Sequence, residues 1–487
     1  MTSDRNFLGI TVYADYIINE GIDAVLDNLT KRAGANAVAI NPSVAAKSVE
    51  GIGAYQPPDD AGSSPRLFDR PLWGERGLWV RGAPSFHPDK SLYANSAYGP
   101  RQPNELTDEL GHIISDFIDA ALDRGFKVYF QVSATSPPAS GTTGVPTSWG
   151  GGREEDMPRL PDGRLAENPM ADTACLASDA IRSYNSALVR DLLQAYPRIT
   201  GFRPDWPEYP CYKLDEAFHD FSPHVEDWAT SRGWDFVGIR RDVAALYDHL
   251  HGGLTNDDLE GFAGVDRGRV DQIALLRRYP GIFEWLRLKA ALSVDLLAHW
   301  RSAIRDAGGA EKELSANTFM PPFSMFTGFD FAGAAAHCDA VTPKLFTMHW
   351  ALMVSFWGDV LMNRNAGLKE ELVVRALANL FDLGEDIQAT RLSEYHYPEP
   401  DEPHPIPTAT QIRKIRQAIA QTGGGAAVTP MVHGYGPHDD FVRRFRLAAE
   451  SPADGLWVNR YGYLSDEKLD AIGSIWRSPS SESGMTP

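Results

Sequence analysis

Residues 199–210, ITGFRPDWPEYP, carry the densest structural signal in the chain. The first five, 199–203, form a short β-branched and aromatic run that reads as a buried strand. A turn follows in which Pro204, Pro207 and Pro210 fall within seven residues. Proline fixes φ, offers no N–H and restricts the residue before it, so this turn is stiff and cannot be helical. A helical stretch, 179–196, precedes the strand. Helix, buried strand and rigid turn in that order make up the unit of a parallel sheet covered by helices.

The same alternation recurs on both sides. Strand-like runs stand at 8–13 (LGITVY), 37–41 (AVAIN) and 127–132 (KVYFQV) before it. After it come 313–317 (ELSAN), 340–347 (AVTPKLFT), 426–433 (AAVTPMVH) and 455–459 (GLWVN). Helical stretches lie between them. One at 21–31 aligns Ile22, Val25, Leu26 and Leu29, another stops at Gly125 as a C-cap, and the last starts behind Ser465 as an N-cap. Eight strands with interposed helices predict an α/β fold, a (β/α)₈ TIM barrel, whose βα loops all open at one end. A doubly wound sheet or a barrel lacking one strand are the alternatives. One catalytic domain over 1–477 is expected, with insertions at about 43–108, 133–175, 211–280 and 351–408 walling a cleft, and a disordered polar tail at 478–487. The glycine triplet 423–425 precedes a strand, so it reads as a helix-to-strand connection and not as a phosphate loop.

Asp205 and Glu208 lie at the C-terminal end of the fourth strand, where barrel enzymes keep catalytic groups. Trp206 and Tyr209 would desolvate Glu208, raise its pKa and favour a proton-donating acid. The plain alternative is a surface turn whose acids cap neighbouring amides.

DWPEYP resembles the strand-four signature of chitinase-type (family 18) glycoside hydrolases, D-x-D-x-E, often written DWEYP. The resemblance implies Glu208 as the acid and Asp205 as the carboxylate that orients an acetamido group. Pro207 interrupts the pattern, and Phe202 and Arg203 or Pro204 stand where upstream acids would be. The wider run 175–210 resembles uncharacterised glycoside-hydrolase-like barrel proteins. A glycosidase needs a second carboxylate. The seventh strand ends in Met431, His433 and Tyr435 without one, and Asp439 and Asp440 read as the start of the next helix. Asp15 and Glu394 are further candidates.

Polar and aromatic residues at the other strand ends suit a sugar pocket: Tyr13, Asn41, Gln131, Asn317, Lys344 and His349, with His433, Asn459 and Tyr461. Lys344 is expected to be ion-paired in an acidic pocket, in preference to forming a Schiff base. Convergence of His349, His433 and His438 with Asp205 and Glu208 would make a metal site, but no HxH or HExxH spacing supports it. No cofactor or metal is therefore expected.

The formal charge of −19 and the absence of a basic cluster argue against nucleic acid or an anionic membrane as partner. Cys175, Cys211 and Cys338 are odd in number and widely spaced, which suits a reducing compartment. With no secretion-signal pattern at the start and no bilayer-length apolar run, a cytoplasmic location is expected. The expected activity is that of a glycoside hydrolase on a small glycoside or oligosaccharide. A metal-dependent sugar isomerase or epimerase and a non-catalytic carbohydrate-binding barrel are the rivals, and homo-oligomerisation is left open.

Overall fold

A computed structural model describes residues 7–61, 66–135, 152–171, 173–264, 268–384 and 388–478. The tail expected at 478–487 lies outside the described residues except for Ser478, and so do parts of all four insertions. Eight parallel strands close into a barrel: β1 Leu8–Thr11, β2 Ala37–Ile40, β3 Lys127–Ser133, β4 Gly201–Asp205, β5 Glu313–Phe319, β6 Ala340–Leu345, β7 and β8 Leu456–Asn459. The seventh comes in two segments, Ala427–Val428 and Met431–His433, parted at Thr429–Pro430. Closure is complete, since β8 pairs with β1 and β5 with β6.

Alternation along each strand sorts its side chains into two cores. Leu8, Ile10, Val38, Ile40, Val128, Phe130 and Phe202 face outward into the large apolar layer beneath the helices. Ala37, Ala39, Tyr129, Met431 and Trp457 face inward and form a separate cluster inside the barrel. Gly9 makes room for the largest of them, because a Cβ there would stand 2.3 Å from the Trp457 ring. Gly201 is required for a similar reason, as its Cβ would meet the Glu313 carbonyl at 2.0 Å.

The fourth strand corrects the boundary expected from sequence. It runs Gly201–Asp205 and not 199–203, so Pro204 lies within the sheet and Asp205 ends the strand. The reason is that proline gives up only one side of the ladder. Pairing to β3 continues through Pro204 opposite Val132, while pairing to β5 is broken between Phe202 and Asp205. Arg203 and Asp205 fall on the inward face, in register with Gln131 and Ser133 of β3.

The loop after β2 holds a three-stranded antiparallel sheet, Ser43–Lys47, Ala54–Gln56 and Leu78–Pro84. The loop after β4 is helical, and β6 is followed by the helices Thr347–Arg364 and Glu370–Leu380. Gly423 and Gly424 take positive φ after the helix Thr408–Thr422, a connection into β7 as expected. Among the described residues no helix is long and apolar enough to cross a membrane.

Candidate active site

Asp205 is the centre of the mouth. Its Oδ1 lies 2.5 Å from Lys344 Nζ, and its Oδ2 accepts from Gln131 Nε2 at 3.3 Å. Lys344 is nearly buried, whereas the Asp205 side chain keeps 30% exposure and so can meet a ligand. The expectation of an ion-paired Lys344 holds. Asn41 is tied to the same group, donating from Nδ2 to the Gln131 carbonyl at 3.0 Å. Lys344 Nζ also sits 4.7 Å from the centre of the Trp206 ring, and Phe319 stacks on that ring's far neighbourhood at 6.5 Å between centroids. Trp206 itself has φ +56°, a left-handed conformation uncommon for a bulky residue. Strain of this kind persists only where the surroundings dictate it, and here it turns the chain immediately after Asp205.

Glu208 is not placed as the sequence suggested. It is fully buried, with Oε1 accepting from the Phe319 N–H at 2.7 Å and Oε2 accepting from the Thr327 hydroxyl. Burial lifts its pKa to about 7, against the lowering effect of Thr327, Thr318, the Phe319 amide and Lys344. The rise matches the expectation, but both oxygens are spent on fastening the β4 turn to the end of β5. Pro207 accounts for the difference. Its carbonyl accepts from Ser293 Oγ at 2.7 Å, and the turn is pinned to the helix behind the barrel. Tyr209 is likewise buried, donating to Asp220 at 2.9 Å, and lies in the loop core.

A second carboxylate enters from a place that no motif marked. Asp60, in the loop after β2, reaches across the mouth to the segment that follows β6. Its Oδ2 is 2.9 Å from His349 Nε2 and accepts from the Tyr397 hydroxyl at 2.6 Å. Burial alone would raise its pKa, but His349, Tyr397 and His433 together hold it below the ordinary range. The other nitrogen of His349 lies 3.2 Å from the Tyr212 hydroxyl. Tyr212 in turn packs against Trp206 and Phe319. The result is a continuous chain from Asp60 through His349 and Tyr212 to the ring beside Asp205.

The far rim is made by Tyr13, Asp15 and Arg460. The Arg460 guanidinium lies 4.5 Å over the Tyr13 ring, and burial carries Asp15 up to about 6 in spite of its own backbone amide and Arg460. Asn459 accepts from Thr11 Oγ1 at 2.7 Å, and His433 packs edge-on to Phe346 at 4.9 Å, kept neutral by burial. Beneath them Asn317 is buried and accepts from Arg203 Nη2 at 2.8 Å. Tyr461 stands apart from this group. Its hydroxyl donates to Glu20 and accepts from Asn28, both on the first helical segments. Glu394 accepts from the amides of Thr390 and Arg391 in an exposed turn, and Asp439 opens a helix as expected. His438 is exposed beside Asp439, so the three histidines do not converge. Among the described residues no three His, Cys, Asp or Glu side chains are grouped to hold a metal.

Sequence reasoning thus missed Asp60, Tyr212, Tyr397, Arg203 and Arg460. Arg460 and Arg203 carried a usable signal, since each adjoins or occupies a strand end. Asp60 carried none.

No protein-family model matches the chain, and no curated protein matches it in sequence. Among solved structures it is similar to a β-galactosidase from the psychrophilic Marinomonas ef1, at 10% identity over 96% of this chain and 59% of that one, with a TM-score of 0.48. The catalytic domain of a β-amylase from Paenibacillus polymyxa aligns at 10% identity over 96% and 95% of the two chains, with a TM-score of 0.49. A chitinase from Chromobacterium violaceum aligns at 10% identity over 97% and 100%, with a TM-score of 0.40. These are weak likenesses to glycoside hydrolases, and the barrel itself rests on the strand pairing described above.

Proposed function

We propose that this barrel is a glycoside hydrolase whose substrate enters at the strand ends and meets Asp205. The observation that carries the proposal is the partly exposed Asp205 carboxylate, fixed by Lys344 and Gln131 and followed directly by Trp206, whose ring meets Tyr212 edge-on. Two carboxylates in different surroundings are the working parts of most glycosidases. Asp205 acts as the carboxylate that faces the sugar and stabilises the positive charge developing on it. Asp60, through His349 and Tyr212, supplies the proton-handling arm. Glu208 is a positioning residue that holds the β4 turn against β5. Aromatic faces beside fixed amide and hydroxyl groups suit a sugar ring, which presents both apolar C–H faces and hydroxyls.

Replacing Asp205 by Asn keeps the shape and removes the charge. Hydrolysis of aryl glycosides by the Asp205→Asn protein is expected to fall about a thousandfold, the order of loss when one preorganised electrostatic group is removed from a transition state. Wild-type turnover in that variant overturns the assignment. The Lys344–Asp205 ion pair also favours a second reading, a barrel that binds sugars without cleaving them. Saturable sugar binding by the wild-type protein with no cleavage of any aryl glycoside would select it.

A further inference from the structure

The floor of the mouth holds more hydrogen-bond donors than it can use. Arg203 is fully buried inside the barrel, its guanidinium carbon 3.4 Å from the centre of the Trp457 ring. Its Nη2 donates to Asn317 Oδ1 at 2.8 Å and to the Met431 sulfur at 3.9 Å, and its Nε and Nη1 have no hydrogen-bond partner. Asn317 Nδ2 and Trp206 Nε1 are also buried and without a hydrogen-bond partner, against two such acceptors, Gln131 Oε1 and Asp205 Oδ1, the second of them ion-paired with Lys344. A buried donor without a partner costs roughly 1–3 kcal/mol, more when charged, so such a set is retained where a ligand satisfies it.

Charge points the same way. Two cations, Arg203 and Lys344, share this floor with the Asp205 carboxylate, while burial drives Glu208, which lies within the field of Lys344, toward its neutral form. The excess is one positive charge in a site of low polarity, where a counter-charge is worth most. A neutral sugar could accept from those N–H groups through its hydroxyls but would leave the charge unmatched.

We infer that the substrate carries a singly charged acidic group, a carboxylate or a sulfate ester on the sugar, received by Lys344 and the donors around Arg203 and Asn317. This deepens the glycosidase proposal and rests on it for the position of the sugar. A phosphate monoester, with close to two charges, exceeds the balance.

Calorimetric titration of the full-length protein tests it. The probes are D-glucuronate and D-galacturonate, glucose and galactose 6-sulfate, and the neutral parents glucose and galactose. One charge-assisted contact predicts about tenfold tighter binding of an acidic sugar than of its parent. Comparison of uronates with sulfates then says which group is taken. Lys344→Met should erase the preference and Lys344→Arg should keep most of it. Equal binding of acidic and neutral sugars, no binding of any acidic sugar, or a preference untouched in Lys344→Met overturns the inference. Binding is read apart from turnover, so the two proposals fail separately. Cleavage of neutral aryl glycosides without an acidic preference removes only this inference, and acid-selective binding without cleavage of any glycoside removes only the hydrolase.

Discussion

The mouth of the barrel is assembled in two ways. Gln131, Asp205, Asn317 and Lys344 stand on strands, and their relative places follow from the register of the sheet: Asp205 pairs with Asn317, and Lys344 is opposite Phe319 and Met431. Asp60, His349, Tyr397 and Tyr212 come from loops and one helix start, and are held together by hydrogen bonds and by the packing of Tyr212 and Tyr397 on the His349 ring. The strand-borne half is rigid and rich in donors. The loop-borne half is a chain of proton-bearing groups carried on inserted segments. Chemistry that needs both an immobile charge and a mobile proton is well served by that division.

Beyond Asp205→Asn, the next largest effect is expected in the loop-borne half. Asp60→Asn removes the charge opposite His349 and should lower kcat/KM for an aryl glycoside about a hundredfold with the fold intact. Full activity in that variant would reduce the loop-borne half to a wall and leave the strand-borne half to act alone.

Glu208 sharpens the comparison, because it joins neither half. It titrates at about 7 in the folded protein against an ordinary 4.5. Between those values the folded chain holds a proton that the unfolded chain has released, so this group's contribution to stability falls as pH rises from about 4.5 to about 7 and is level above. Glu208→Gln lacks that titration. Relative to wild type it should therefore gain up to about 3 kcal/mol between pH 5 and pH 8 in denaturant unfolding. Glu216, raised for the same reason, contributes the same slope to both proteins and cancels. A pH-independent difference would put Glu208 in contact with water and back among the candidate acids.

The smallest effect belongs to Tyr461. Tyr461→Phe deletes its bonds to Glu20 and Asn28 and should cost about 1 kcal/mol of stability while leaving turnover unchanged. A fall in turnover would move Tyr461 into the mouth.

How much of this was legible in the sequence follows the same division. All eight strands could be read, because burial and alternation mark them locally. The positions of Asp205, Gln131, Asn317 and Lys344 on the strands could be read because a strand end is a place in the sequence as well as in space. The desolvation of Glu208 could be read from its aromatic and proline neighbours, but not that the Pro207 carbonyl and both Glu208 carboxylate oxygens would be hydrogen-bonded into the wall. Asp60 could not be found, since its position depends on an inserted antiparallel sheet folding across the opening. Tyr461 was named for standing just past β8, and its side chain turned outward to Glu20.

The pairing of Gly9 with Trp457 constrains how this chain can vary. Position 9 admits no side chain while residue 457 is tryptophan, and shrinking 457 alone would leave a void beside Arg203. The two sites are therefore expected to change together. Gly9→Ala should be poorly tolerated in the wild-type background and better tolerated with Trp457→Phe, the signature of a coupled pair and not of two independent ones. In a collection of related sequences, that joint variation would trace the inside of the barrel even where the mouth had diverged.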